Sequence, residues 1–156
     1  MSSITELKEQ VNTKTTNFVL LSIATAGIYL ILWLFKNSKI IASITKKELV
    51  DDNYPIYIAV CVGLGGTFQG SGVAAVDAVA GLLSISSAVL YILWAFRAKT
   101  ALQEYATNEY KIDLRMNGFY TFLFNVYYIN YCINDLAEIQ SKQNVVSSSQ
   151  TESVQS

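Results

Sequence analysis

The residues from Phe18 to Phe35, FVLLSIATAGIYLILWLF, form a run of eighteen residues without a charged side chain, and Lys36 ends it. As an α-helix this run would be roughly 27 Å long, which is close to the thickness of the hydrocarbon layer of a bilayer. The run therefore predicts a transmembrane helix. The alternative is a buried core helix of a soluble protein, because an apolar run alone does not separate the two.

Three further apolar runs follow, at 56–70, 73–96 and 118–133. The last run is short and rich in aromatic residues, which prefer the membrane interface, so it either crosses the bilayer or lies along its surface. The sequence thus predicts an all-α integral membrane protein with four transmembrane helices, spanning about 18–35, 56–70, 73–96 and 118–133. The number is three if the last run is interfacial.

Two of these runs continue in helical rhythm beyond their apolar part. Ile41 and Ile44 share one side of the segment after the first run, and Ala98, Leu102 and Tyr105 share one side of the segment after the third. This spacing predicts that both helices leave the membrane as amphipathic extensions.

The predicted organisation has three parts. Residues 1–17 form a short amphipathic helix and a polar linker, and residues 18–139 form the helical membrane domain. Residues 140–156 are rich in Ser and Gln and offer few apolar side chains to bury, which predicts a disordered tail.

Composition argues against several classes of function. The chain is 52% hydrophobic and 15% charged, and its net charge of −1 offers no basic face for nucleic acid. It contains no His, the commonest general base and metal ligand, and no phosphate-binding or nucleophile motif. Cys61 and Cys132 lie far apart in apolar surroundings and resemble small buried hydrophobes. We therefore predict no catalytic residue, no cofactor and no metal site, and we expect that the protein is not an enzyme.

The distribution of Lys and Arg predicts the orientation in the membrane. Four Lys lie between the first and second runs, and two Arg and two Lys lie between the third and fourth. Because Lys and Arg accumulate in cytoplasmic loops, residues 36–54 and 97–117 are expected on the cytoplasmic side of the cell membrane. With four crossings, both termini are then external.

A short internal similarity links the first and third runs. Residues 31–36, ILWLFK, correspond to residues 92–97, ILWAFR, and each copy is followed by a charged segment, a turn and another apolar run. This similarity is typical of two repeated helical hairpins related by an axis along the membrane normal. The alternative is convergence, since a helix leaving lipid at the positive side often ends in an aromatic residue and then Lys or Arg.

The same region resembles a known family. The segment Thr25-Ala26-Gly27-Ile28-Tyr29, followed by Trp33, is similar to the T-x-G-I-Y-x-x-x-W signature of the family catalogued as domain of unknown function 4234. Tyr91 and Trp94 resemble the aromatic and tryptophan positions of a later helix of that family, and Asn134 resembles an Asn that closes its last apolar segment. The likeness covers most of residues 17–136, although the Gly-rich second run departs from the family. The resemblance implies a small multi-span membrane protein of a mainly bacterial type, and it implies no known activity.

Two sets of residues are candidates for a functional role. Small and aromatic side chains in the runs suit close helix packing, and these are Gly27, Tyr29, Trp33, Gly66, Gly70, Tyr91 and Trp94. Polar side chains in or beside the runs suit a polar path, and these are Asp77, Gln69, Asn125 and Asn130. Asp77 lies either at the head of a helix near the membrane surface or, at a higher energetic cost, within the hydrocarbon.

Each set of candidate residues predicts a function. The packing set predicts a non-enzymatic membrane protein of uncharacterised role that acts through helix–helix contacts as an assembly or regulatory component. The polar set predicts a small channel, a transporter or a holin-like pore former. The expected partners are the lipid bilayer and either a second copy of the chain or another membrane protein, but not nucleic acid.

Overall fold

The computed structural model describes the backbone of residues 4–112 and 114–154, and the side chains of residues 6–112, 114–136 and 138–140. In this part of the chain every regular element is an α-helix, which confirms the predicted all-α class. The six helices are α1 (Ile4–Val11), α2 (Thr15–Ala24), α3 (Ile28–Thr45), α4 (Tyr54–Phe68), α5 (Ala74–Tyr110) and α6 (Gly118–Val154).

The first apolar run is not one helix, so the prediction of a single span over 18–35 is wrong. Helix α2 ends at Ala24 and α3 begins at Ile28, and the chain reverses between them. In a straight helix Phe18 and Trp33 would lie about 22 Å apart along the axis. Their ring centroids are instead 4.8 Å apart, so α2 and α3 form a helical hairpin.

Helices α4 and α5 form a second and longer hairpin. Pro55 lies in the first turn of α4, where its missing N–H costs nothing, and the chain turns between Phe68 and Ala74 as the sequence predicted. The Tyr54 hydroxyl at the start of α4 donates a hydrogen bond of 2.7 Å to the Leu90 carbonyl of α5. The two helices are therefore antiparallel over the whole length of α4.

The fourth apolar run is also interrupted, which corrects the prediction of a continuous helix over 118–133. Asn125 has non-helical angles, φ 47° and ψ −121°, inside α6. The Tyr128 hydroxyl accepts a hydrogen bond of 3.1 Å from the Asn117 backbone N–H, although a straight helix would separate these residues by about 16 Å. Helix α6 therefore bends sharply at Asn125 into two arms.

The end of the chain differs from the prediction of a disordered tail over 140–156. Helix α6 continues to Val154, while residues 155 and 156 lie outside the described residues. Extending an existing helix adds one hydrogen bond for each residue fixed and avoids the unfavourable nucleation step. A polar segment can therefore continue a helix that packing has already formed upstream.

The buried core is concentrated at one end of the molecule, away from the α4–α5 turn. It combines α1, the second half of α3, the second half of α5 and α6, and we call this part the body. Its fully buried large side chains include Leu7, Leu34, Ile41, Leu49, Leu102, Ile129, Ile133 and Leu136. The apolar stripes predicted for the two extensions are buried, because Ile41, Ala98 and Leu102 are all 0% exposed.

Outside the body, many apolar side chains of the hairpins are exposed. Leu82 and Ile85 of α5 are 65% and 64% exposed, and Ile23 near the α2–α3 turn is 72% exposed. Among the described residues two helices are long and apolar enough to cross a membrane, α3 and α5, and α4 is a shorter apolar helix. The predicted set of four transmembrane helices is not confirmed, but these helices indicate an association with a membrane.

Candidate functional site: an aromatic junction of four helices

The turn between α2 and α3 is built by the residues of the Thr-x-Gly-Ile-Tyr segment. The Thr25 hydroxyl donates to the Leu21 carbonyl at 2.7 Å and accepts from the Tyr29 backbone N–H at 3.0 Å, so it joins the end of one helix to the start of the next. Gly27 has φ 89°, a left-handed conformation that costs glycine no Cβ contact. Its backbone N–H donates to the Ser22 carbonyl at 2.7 Å.

Five aromatic side chains meet below this turn, where α2, α3, α5 and α6 come together. We call them the aromatic junction: Phe18, Tyr29, Trp33, Trp94 and Tyr127. The Phe18 ring, fully buried, lies 5.9 Å from Tyr29 and 4.9 Å from Tyr127, and it stacks on Trp33. The ring of Trp33 meets that of Trp94 edge-to-face at 6.1 Å, a favoured geometry for aromatic pairs.

A short hydrogen-bond chain fixes the Trp94 side of the junction. The Trp94 indole Nε1–H donates to the Ser38 hydroxyl at 2.8 Å, and that hydroxyl donates to the Leu34 carbonyl at 2.6 Å. Both Trp94 and Ser38 are buried. The Trp33 Nε1–H is also buried but has no hydrogen-bond partner among the described residues. The two indoles, which correspond in the sequence similarity, are thus held differently.

Two asparagines of α6 hold the linker between α1 and α2. Asn130, fully buried, donates from Nδ2 to the Thr13 carbonyl and to the Thr15 hydroxyl, both at 3.1 Å. Asn134 donates from Nδ2 to the same Thr13 carbonyl at 3.1 Å. These bonds connect residues more than one hundred positions apart, so they close the body around the start of the α2–α3 hairpin.

The structure brings together four of the predicted packing residues. Trp33 and Trp94 are buried in the junction, while Tyr29 and Tyr91 are partly buried against the same core. The sequence did not identify Phe18 or Tyr127 as their partners. Only the reversal of the chain at Gly27 brings Phe18 to Trp33, so no linear spacing indicates the contact.

The predicted packing glycines have other roles. Gly27 and Gly70 have positive φ and lie in turns, and a Cβ added at either position would meet no atom within 4 Å, so neither brings two helices close. Gly66 lies inside α4 but likewise faces open space. The glycine that does pack is its neighbour Gly65, where an added Cβ would lie 3.0 Å from the Ser84 hydroxyl of α5.

The polar candidates do not converge on one path. Gln69 and Asp77 lie at the α4–α5 turn, where the Ser71 N–H and hydroxyl donate to the Asp77 carboxylate at 2.9 and 3.0 Å. Asn125 forms the bend of α6, and Asn130 is buried against the linker before α2. Within the described part of the chain, no group of three or more His, Cys, Asp or Glu side chains is placed to hold a metal ion.

These features define a class of protein, an all-helical chain associated with a membrane. Its hairpins expose apolar side chains, and two of its described helices are long and apolar enough to cross a bilayer. A family model described as a domain of unknown function (DUF4234) matches residues 13–104, which is more than half of the chain, and the chain belongs to that family. The match covers the α2–α3 turn, the junction residues up to Trp94 and the α4–α5 hairpin, and it ends before Asn134. No curated protein and no solved structure matches the chain.

Proposed function

We propose that the protein is a non-enzymatic membrane component, anchored by the α4–α5 hairpin, that self-associates through an open glycine face of α4. The observation that carries the proposal is the difference between neighbouring glycines. Gly65 packs against α5, whereas an added Cβ at Gly63 or Gly66 meets nothing within 4 Å. Glycine costs helix stability unless it allows a close approach, and inside this chain these two glycines allow none.

The glycine face lies opposite to the side of α4 that contacts α5. Gly63, Gly66 and Thr67 lie at three- and four-residue spacing within α4, so they share one side of the helix, and Gly70 follows in the turn. The buried residues Ile58 and Gly65 lie on the other side. Small residues at this spacing let two backbones approach within lipid, where packing and not hydrophobic burial drives association.

The charge distribution supports one crossing hairpin in place of four spans. All eleven Lys and Arg lie outside residues 48–96, and the α4–α5 hairpin within that range carries a single acid, Asp77. If only this hairpin crosses, every positive charge and both termini lie on the cytoplasmic side, as the tendency of Lys and Arg predicts. The segments 36–54 and 97–117 keep their predicted side, and the termini change theirs.

The dimensions of the hairpin fit a crossing. Trp94 lies at the level where the body begins, and Asp77 lies seventeen residues earlier in α5, which is about 26 Å of helix. Asp77 then lies at the opposite surface with the polar turn 69–72, where its half-buried carboxylate accepts from the exposed Ser71. This arrangement supports the surface position for Asp77, and it does not favour a pore, whose candidate residues lie apart.

The proposed self-association can be tested by measuring whether copies of the protein associate in lipid. Copies labelled with donor or acceptor dyes are reconstituted together, and energy transfer is measured as lipid dilutes the protein. We expect transfer above the random level for the wild type and a loss of it for Gly66→Ile, which blocks the face. Leu64→Phe, a bulky change on the same exposed helix but off the face, is the matched control and should retain transfer. Random transfer for the wild type would refute self-association.

The proposed anchoring by the α4–α5 hairpin can be tested by finding which side of the membrane each segment faces. Single cysteines replace Asn12, Ser43 or Gly72 in a chain whose Cys61 and Cys132 are changed to Ala, and an impermeant maleimide is added to intact cells. We expect labelling of Gly72→Cys alone from outside, and of the other two only after permeabilisation. With four spans, Asn12→Cys would also be labelled from outside.

A further inference from the structure

A band of exposed apolar side chains lies near the base of the α4–α5 hairpin. We call it the shoulder. It comes from the α2–α3 turn and from the bend of α6, and its members are Leu20, Leu21, Ile23, Ile28, Leu32, Phe119, Phe122, Leu123 and Phe124. All of them are more than 40% exposed, although the body beneath them buries its apolar residues.

The α2–α3 part of the shoulder rises only a short way above the junction. Helix α3 runs parallel to α5, because Trp33 contacts Trp94 and, further along, Lys47 forms an ion pair with Glu104. Ile28 lies five residues before Trp33, which is about 8 Å of helix. Helix α2 rises by a similar distance, since Ala24 lies six residues beyond Phe18, which is about 9 Å of helix.

The α6 part of the shoulder reaches a similar height. Gly118 lies beside Phe96 and Lys99 of α5, where an added Cβ would approach their side chains at 3.9 and 3.6 Å. The first arm of α6 extends at most about 9 Å from there to Phe124, and the second arm returns to the junction at Tyr127. By contrast, α5 continues about 30 Å beyond Trp94 to its start at Ala74.

Charged residues mark the lower edge of the shoulder. Lys14 precedes α2, Lys36 follows the apolar part of α3, and Lys99 lies beside Gly118, where the first arm of α6 begins. The Lys99 ammonium lies 5.7 Å from the Phe96 ring centroid. Lysines at such a boundary place their stems along apolar surface and their charges among lipid headgroups, so the occupant that suits the shoulder is acyl chain from the cytoplasmic leaflet.

We propose that the shoulder inserts into the cytoplasmic leaflet only, and that the protein is therefore a wedge that selects membranes in which this leaflet is convex. Three helical segments, α2, the start of α3 and the first arm of α6, enlarge the molecule in that leaflet alone. With a diameter of roughly 10 Å for each helix, the difference between leaflets is on the order of 200 Å². Shallow apolar insertion of this kind is sensitive to curvature. The inference rests on the proposed single-hairpin anchoring.

The test is sorting on membrane tubes. The full-length protein, labelled in the body, is inserted into preformed giant vesicles so that the body faces outward, and a tube is pulled from each vesicle. We expect the wild type to be enriched on the tube, where the leaflet carrying the body is convex. Ile23→Asn/Ile28→Asn lowers the apolarity of the shoulder and should lose the enrichment, whereas Ile23→Leu/Ile28→Leu, the matched control, should keep it.

Two results would overturn the proposal. The first is an equal density of the wild type on tube and vesicle, and the second is undiminished enrichment of the Ile23→Asn/Ile28→Asn variant. In the same vesicles, impermeant labelling of Gly72→Cys reports the crossing independently, because this residue is protected only if the hairpin spans the bilayer. Protection without sorting removes the wedge and leaves the anchoring intact, whereas labelling of Gly72→Cys from the body side removes both.

Discussion

The bond between Trp94 and Ser38 offers a sharp test of the aromatic junction, because both of its groups are buried and are fifty-six residues apart. Replacing Ser38 by Ala removes the acceptor of the indole N–H and leaves that donor buried without a partner. It also removes the bond from the Ser38 hydroxyl to the Leu34 carbonyl, which already takes part in helical hydrogen bonding. The main loss is therefore the stranded indole N–H.

The expected magnitude follows from the cost of an unpaired buried donor. Leaving such a group unsatisfied costs about 1–3 kcal/mol, whereas removing both partners of a bond costs much less. Ser38→Ala should thus lower the free energy of unfolding by about 1–3 kcal/mol. Trp94→Phe removes the donor and part of a fully buried ring, so it should lower stability further through lost packing. When Trp94→Phe is already present, however, Ser38→Ala should have little additional effect.

A double-mutant cycle measures this difference. Unfolding of the four proteins in mixed detergent is followed by far-ultraviolet circular dichroism, and the coupling energy is the non-additive part of the two changes. A matched control is Ser43→Ala, since the Ser43 hydroxyl is exposed and bonds only within its own helix. A coupling energy near zero, with Ser38→Ala as stable as the wild type, would refute the junction geometry.

Four further substitutions test the turns and the α4–α5 hairpin. Gly27→Ala places a Cβ in the left-handed region, where space is open but the conformation costs about 1–2 kcal/mol, and thermal unfolding in detergent should report that loss. Gly65→Ala introduces a contact of 3.0 Å with the Ser84 hydroxyl and should lower stability. The neighbouring Gly66→Ala places its Cβ in open space, so it should leave monomer stability unchanged or raise it by up to about 1 kcal/mol. Asp77→Asn keeps an acceptor for the Ser71 N–H, so unfolding should change little, and vesicles containing either protein should show no ion flux above empty ones.

Much of the helical plan could be predicted from the sequence, because it depends on local patterns. The stops before Pro55 and after Phe68, and the buried stripe through Ala98 and Leu102, follow from turn residues and from helical spacing. The burial of Cys132 at 6% exposure also agrees with its apolar neighbours. Each of these features is decided within about a dozen residues of chain.

The break at Gly27 could not be predicted from hydrophobicity, because both a long helix and a short hairpin bury the same apolar residues in lipid. The local signal was present, since a small polar residue followed two positions later by Gly is compatible with a helix C-terminus. What decides the outcome is the stacking of Phe18 on Trp33 and the fit of Tyr127 beside them. Trp33 and Tyr127 are distant from Phe18 in sequence. The family signature lies at this turn, but the signature alone does not indicate that the chain reverses there.

Asn125 illustrates the same limit. Asn is among the few residues other than Gly that tolerate left-handed φ, so a bend there is physically permitted. An uncharged aromatic run around it nevertheless predicts a continuous helix. The bend is selected by the body, where Tyr128 returns to the Asn117 N–H and Val126 and Ile129 are fully buried.

The hydrogen bonds of the α2–α3 turn explain how an interrupted helix remains compatible with lipid. A chain reversal in hydrocarbon frees backbone groups that have no water to bond, and each unsatisfied group is costly. At the α2–α3 turn the Ala26 and Gly27 N–H groups donate to the Ile23 and Ser22 carbonyls, and the Thr25 hydroxyl serves both helix ends. The N–H groups of the reversal are therefore bonded within the protein, which supports an α2–α3 hairpin that ends within a leaflet.

The α4–α5 turn is different, because it carries the exposed polar side chains of Gln69 and Ser71 beside the Asp77 carboxylate, and these groups require water. Placing this turn in hydrocarbon would leave a charge and two polar groups without solvent, whereas the far membrane surface hydrates all three. One turn suits a position inside the leaflet and the other suits the far surface, which is the physical basis for treating the shorter hairpin as a wedge and the longer one as the anchor.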